Sequence, residues 1–161
     1  MILLIERNAC CVRGRVCCSL FGVSWEIRAR VAKVDAEQRL AFGWASVAVD
    51  AAGRPVIDHQ GDLIPVEELE RAAYQYVVTS RDASEMHGRR GVAQLVESVV
   101  LTPEKYTALG LPLGPSGWWV GFRVTDDAVW QRVKAGDFRE FSIGGSATRK
   151  PVAVEGAIRA E

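Results

Sequence analysis

What this sequence lacks narrows it first. It has no surplus charge of either sign, since 20 Lys and Arg stand against 20 Asp and Glu. A surface without spare cations gains little from releasing nucleic-acid counterions and is not drawn to anionic lipid. Neither nucleic acid nor a membrane is therefore an expected partner. Long apolar runs are missing as well. Met1 to Ile5 is apolar, but Glu6 and Arg7 follow at once, and Arg13 and Arg15 interrupt the next stretch. No signal-peptide core or membrane span fits there, so the sequence reads as a soluble protein. Cysteine is absent after Cys18. Cys10, Cys11, Cys17 and Cys18 account for all four, whereas a disulfide framework spreads its cysteines to close loops. Two adjacent pairs separated by Val12-Arg13-Gly14-Arg15-Val16 match no common zinc spacing, and they read as reduced thiols in a peripheral segment.

The named catalytic and cofactor motifs are missing too. There is no phosphate-binding glycine loop, no dinucleotide fingerprint and no HExxH, and Glu140 stands where a nucleophile elbow at Ser142 needs glycine. No cofactor is expected.

What is present is an ordinary globular composition, 48% hydrophobic over 161 residues, enough chain for one domain with a real core. Residues 1–24 read as an atypical Cys- and Arg-rich extension, 25–150 as the folded domain and 151–161 as a C-terminal tail. Ile27 to Val31 alternates as a half-buried strand does, and Leu40 to Val49 is rich in aromatic and β-branched residues before an Asp50–Pro55 turn. Pro65 opens a helix in which Val66, Leu69, Ala72, Ala73, Tyr76 and Val77 form one stripe, with Glu67, Glu68 and Glu70 near its positive end. Val92 to Leu101, Trp118 to Val124 and Phe138 to Thr148 read as strands. A short helix capped by Thr102 ends at Gly110, and another capped by Thr125 carries Val129, Trp130 and Val133 as far as Gly136. The predicted class is mixed α/β and β-rich, an antiparallel β-barrel with peripheral helices.

Candidate chemistry is sparse. A neutral-pH general base has only His59 or His87 to draw on. His87 lies in a loop between the long helix and a strand. Ser142 alternates with Phe141 and Ile143, so its hydroxyl points away from the side they bury, and it is read as exposed. Gly144 and Gly145 beside it are suited to a bulge that frees amide N–H groups, as an oxyanion site needs. Asp58-His59-Gln60-Gly61-Asp62 admits a metal reading, but five residues around a glycine more often form a turn. The alternation Trp118, Val120, Phe122, Val124 against Trp119, Gly121, Arg123 puts at least one tryptophan in the core.

Six segments in order then resemble the XkdF-like phage serine proteases: FGWASV (42–47), VIDHQGD (56–62), EMH (85–87), LVES (95–98), GWWVGF (117–122) and FSIGG (141–145). The resemblance spans about Ile27 to Arg149. That family is similar to tailed-phage prohead proteases and herpesvirus assemblins, which are helix-ringed β-barrels, often homodimers, that process scaffold and capsid proteins. It implies Ser142 as nucleophile, His87 as base, and backbone amides around Ile143, Gly144 and Gly145 as oxyanion donors, acting in the bacterial cytoplasm or the prohead interior. Glu97, on the strand after His87, is the candidate orienting acid. Residues 151–161 read as truncated before the family's further strand. A non-catalytic capsid-assembly or scaffold-binding domain is the alternative, and a host hydrolase with a non-phage substrate is a third reading.

Overall fold

The computed structural model describes residues 2–4, 9–13, 23–85, 89–152 and 155–159, with side chains from residue 31 onward except at 145 and 146. In chain order the elements are β1 (Ile2–Leu4), β2 (Ala9–Arg13), β3 (Val23–Asp35), β4 (Leu40–Val49), β5 (Val56–Ile57), β6 (Asp62–Leu63) and α1 (Val66–Thr79). There follow β7 (Asp82–Glu85), β8 (Arg89–Leu101), α2 (Pro103–Ala108), β9 (Ser116–Val124), α3 (Asp127–Ala135), β10 (Glu140–Pro151) and β11 (Ile158–Arg159). Among the described residues no helix is long and apolar enough to cross a membrane.

The architecture is β-rich with three helices, as expected from the alternating sequence. An antiparallel ladder runs β7-β8-β9-β4-β3-β10. β1 hydrogen-bonds to β7 on one side and β10 on the other, and β2 lies parallel to β10 farther along the same edge. A small separate sheet pairs β11 with β5.

One face of the ladder carries the core. Trp118, Val120, Phe122 and Val124 of β9 alternate inward, while Trp119 faces out and meets Trp44 edge-on at 5.6 Å. Phe141 and Ile143 of β10 reach the same core, Phe141 lying 5.8 Å from Phe122. The stripe of α1 closes over it through Leu69, Ala72, Ala73 and Tyr76. Burying each large side chain of this set contributes about 1.5–3 kcal/mol.

Several local features follow from chemistry. Thr102 caps α2 by accepting from the Lys105 amide, and Gly136 ends α3 in the left-handed region. The cap of α3 differs from expectation. Asp126, not Thr125, accepts from the Val129 amide at 2.9 Å, while the Thr125 hydroxyl donates to the Gly91 carbonyl. The carboxylate at this position is the stronger acceptor, and the Val129 bond holds Asp126 below its usual pKa.

Residues 2–4 and 9–13 are more integrated than their composition suggests. Residues 2–4 and 9–13, expected to lie in an extension, form strands on β10, and Cys10 and Cys11 fall within β2. Cys17 and Cys18 lie outside the described residues.

Candidate functional site

Ser142 sits near the start of β10, where the local sequence gives both faces a role. Phe141 and Ile143 turn inward and are fully buried. Ser142 turns the other way, yet it is only 2% exposed, and its Oγ has no hydrogen-bond partner among the described residues. The expectation of an exposed hydroxyl is therefore corrected. The physical reason is that alternation fixes which way a side chain points and not how deeply it lies; along the edges of β10 here, Ser142 is in register with Arg28 of β3 and with Ile2 of β1. An orphan hydroxyl in a buried site costs free energy unless a partner meets it.

The glycines beside it form no bulge on the β3 side. Register is continuous from Glu140↔Arg30 to Ala147↔Val23, so Ile143, Gly144 and Gly145 lie within a regular ladder. On the opposite edge β1 pairs residues 142–144 and β2 pairs 147–151, and Gly145 and Ser146 fall between them.

His87 lies outside the described residues, as do Met86 and Gly88. On either side of it in sequence, Glu85 ends β7 and Arg89 begins β8, and the two strands pair as an antiparallel hairpin. Glu85 takes Arg89 at 3.1 Å and Arg132 of α3 at 2.5 Å, and Arg89 also reaches Asp126 at 2.9 Å. The bond to Asp126 raises the pKa of Arg89. Arg132 in turn lies 4.1 Å from the centre of the Phe138 ring. Exposed pairs of this kind add little stability, so their effect is to fix where the hairpin leaves the sheet. At its other end β7 is tied to α1, because the Tyr76 hydroxyl donates to the Asp82 carbonyl at 2.6 Å.

The register then relates the hairpin to the serine. Ile2 lies opposite both Ser142 and Ser84, and Ser84 is itself 1% exposed. Two strand spacings put the Ser84 and Ser142 backbones about 10 Å apart. Sequence reading missed β7 because Asp82-Ala83-Ser84-Glu85 is polar; the one signal available was Ala83 as a lone apolar residue beside the EMH segment.

Glu97 is not brought to this place. Arg90 is the β8 partner of Ser84, and Glu97 stands seven residues farther along the same strand, about 23 Å at the usual rise. It is exposed and lines an open groove of about 560 Å³ with Tyr74, Val77, Val78, Arg81 and Leu95. The direction of β8 carries it away from Ser84 and the end of β7.

The Asp58–Asp62 segment resolves as a turn. One Asp58 oxygen accepts from the Gln60 and Asp62 amides, each at 2.8 Å, and Gly61 supplies the positive φ of 81° that the turn requires. Arg149 of β10 pairs with Asp62 and donates to Gln60 at 2.9 Å, so a guanidinium occupies the place of a cation. Burial pushes the Asp58 carboxyl above its usual pKa, and His59 is exposed.

Comparison with known proteins places this geometry. The chain is 28% identical over 136 residues to "Uncharacterized protein YqbD" of Bacillus subtilis (strain 168), covering 81% of this chain and 39% of that protein. It is 29% identical over 92 residues to "Phage-like element PBSX protein XkdF" of the same organism, covering 57% of this chain and 33% of that protein. The chain thus spans about a third to two-fifths of the length of these relatives. No solved structure matches it. Residues 27–150, from within β3 nearly to the end of β10, match the family described as "Putative phage serine protease XkdF", and the chain belongs to that family.

Proposed function

We propose that this protein is a serine endopeptidase of phage head maturation, with Ser142 as nucleophile and His87 as general base. The observation that carries the reading is the register Ser142–Ile2–Ser84. It sets the buried hydroxyl, without a partner among the described residues, two strand spacings from β7, the strand that precedes His87 in sequence. In this reading His87 takes the Ser142 proton and the oxygen attacks a peptide carbonyl. Backbone amides on the β1-facing edge of the 143–145 segment stabilise the oxyanion once that edge is open, Gly145 lying just beyond the last β1 pair. The proton then passes to the leaving amine, and water releases the acyl group. The fold half of the proposal is a barrel with peripheral helices, and its support is that β1 is bonded to both β7 and β10. Substrates are scaffold and capsid proteins, the enzyme works as a homodimer without a cofactor, and its setting is the host cytoplasm or prohead interior.

A second reading, a non-catalytic scaffold-binding domain, draws on the burial of Ser142 beside β1. A fluorophosphonate probe separates the two. Labelling of the wild type but not of Ser142→Ala, with the mutant's fold intact by circular dichroism, supports the peptidase. It also predicts loss of processing of a co-expressed scaffold protein in the mutant. Equal labelling of both forms overturns the assignment of Ser142.

A further inference from the structure

The segment seated between β7 and β10 lies outside the span shared with the family. Matching begins at residue 27, yet residues 2–4 run beside the candidate nucleophile. Ile2 is in register with Ser142 and Ser84, Leu3 with Ile143 and Ala83, and Leu4 with Gly144. The three residues are Ile-Leu-Leu, and they lie parallel to β10 and antiparallel to β7. This is the geometry of strand addition, in which backbone bonds to a sheet edge hold an extended peptide and side-chain pockets select it.

Its hold is short. β10 matches β3 at eight register positions but β1 at three, and β1 matches β7 at two. Each ladder position contributes a modest net free energy, so β1 opens at lower cost than the ladder it joins. While seated, it lies beside a serine that solvent barely reaches.

We infer that the slot between β7 and β10 is a binding site for an extended aliphatic peptide, and that residues 2–4 occupy it as an internal ligand that shuts off Ser142. The class of external ligand is an extended chain segment bearing branched aliphatic side chains. Competition between that segment and residues 2–4 sets the access of a substrate to the hydroxyl. The inhibitory consequence rests on Ser142 being the nucleophile; the slot itself does not.

The test reads access to position 142 in two ways. In Ser142→Cys, maleimide modification located by peptide mass spectrometry reports access whether or not the protein is an enzyme. Leu3→Pro removes a donor from the middle of β1, and proline is excluded from a strand paired on both sides. Adding it to Ser142→Cys is expected to raise the modification rate about tenfold, the effect of about one lost ladder bond. An added capped Ile-Leu-Leu peptide then slows it again. In the Ser142 background, fluorophosphonate labelling rises in parallel. Faster maleimide modification reversed by the peptide, with no fluorophosphonate labelling of either form, upholds the slot and removes the inhibition of a peptidase. An unchanged maleimide rate in a folded variant overturns the inference and leaves the peptidase reading standing. If Leu3→Pro does not fold, hydrogen exchange of the wild type decides. Residues 2–4 are expected to exchange through a local opening while β3, β4 and β9 stay protected. Exchange of β1 only with global unfolding makes it a structural strand and overturns the inference.

Discussion

Tyr76 joins three parts of the molecule, and Tyr76→Phe tests that junction with a change of one hydroxyl. The residue is 2% exposed, its ring meets Trp118 edge-on at 5.6 Å, and its hydroxyl donates to the Asp82 carbonyl at 2.6 Å. Phenylalanine keeps the ring and the stacking but loses the bond at the start of β7. One such bond contributes about 0.5–1.5 kcal/mol, and a carbonyl left without a partner moves the loss toward the upper end. For a chain of this size each kcal/mol lowers the Tm by about 2–4 °C. The pH dependence supplies a second, independent check. Burial, with help from the Asp82 charge, pushes the Tyr76 pKa far above its ordinary 10.0. A raised folded pKa means that the stabilisation is complete below the unfolded value and is lost as pH rises toward the folded one. Above about pH 10 the wild type should therefore lose about 1.4 kcal/mol per pH unit from this residue, and Tyr76→Phe should lose none. The other titrating groups are common to both proteins and cancel. Urea unfolding across that range should show the wild-type advantage shrinking and vanishing near about pH 11. A gap that stays constant with pH, or no gap at neutral pH, refutes the reasoning.

Four further substitutions probe packing and buried charge. A Cβ on Gly117 would lie 2.3 Å from the Ser46 carbonyl oxygen and 2.9 Å from the Val47 Cα, both backbone atoms of β4. Gly117→Ala should therefore cost about 1–3 kcal/mol in urea unfolding. Gly121→Ala should cost less, because it meets the Phe42 side chain at 2.7 Å and the Glu97 Cβ at 3.1 Å; the reverse order would sink the argument. Arg149→Met leaves the fully buried Asp62 side chain without its guanidinium and should cost about 3–5 kcal/mol. Asp62→Asn in the same chain should recover most of that, and a single-variant loss below about 1 kcal/mol would show that the pair is not buried as described.

Where a periodic pattern was long, the fold was legible. The stripe of α1 and the alternation of β9 follow from spacing alone, and Leu40–Val49 is the strand the residues suggest. Short polar strands were not legible. β7 carries Asp82 and Glu85 and becomes a strand because β8 and β1 supply its bonds, a condition set by tertiary contact. β1 and β2 were hidden for the same reason: their partner is β10, at the far end of the sequence. For the site, alternation separated Ser142 from Phe141 and Ile143, but alternation reports direction and not depth. It could not show that the hydroxyl is buried. Closeness of Glu97 to His87 in sequence likewise says nothing of the seven residues that β8 advances beyond Arg90.

The pairing of β1 with β10 also has a consequence during synthesis. Residues 2–4 meet 142–144, so β1 has no docking edge on β10 until residue 142 and its neighbours have been made. At about 5–20 residues per second that wait is on the order of ten seconds, long beside the folding of a hairpin. An Ile-Leu-Leu segment spends that interval without its acceptor, while β3, β4, β8 and β9 can already pair with one another. Assembly therefore proceeds from the middle of the chain outward. Of the strands around Ser142, the one from the beginning of the sequence is among the last to settle.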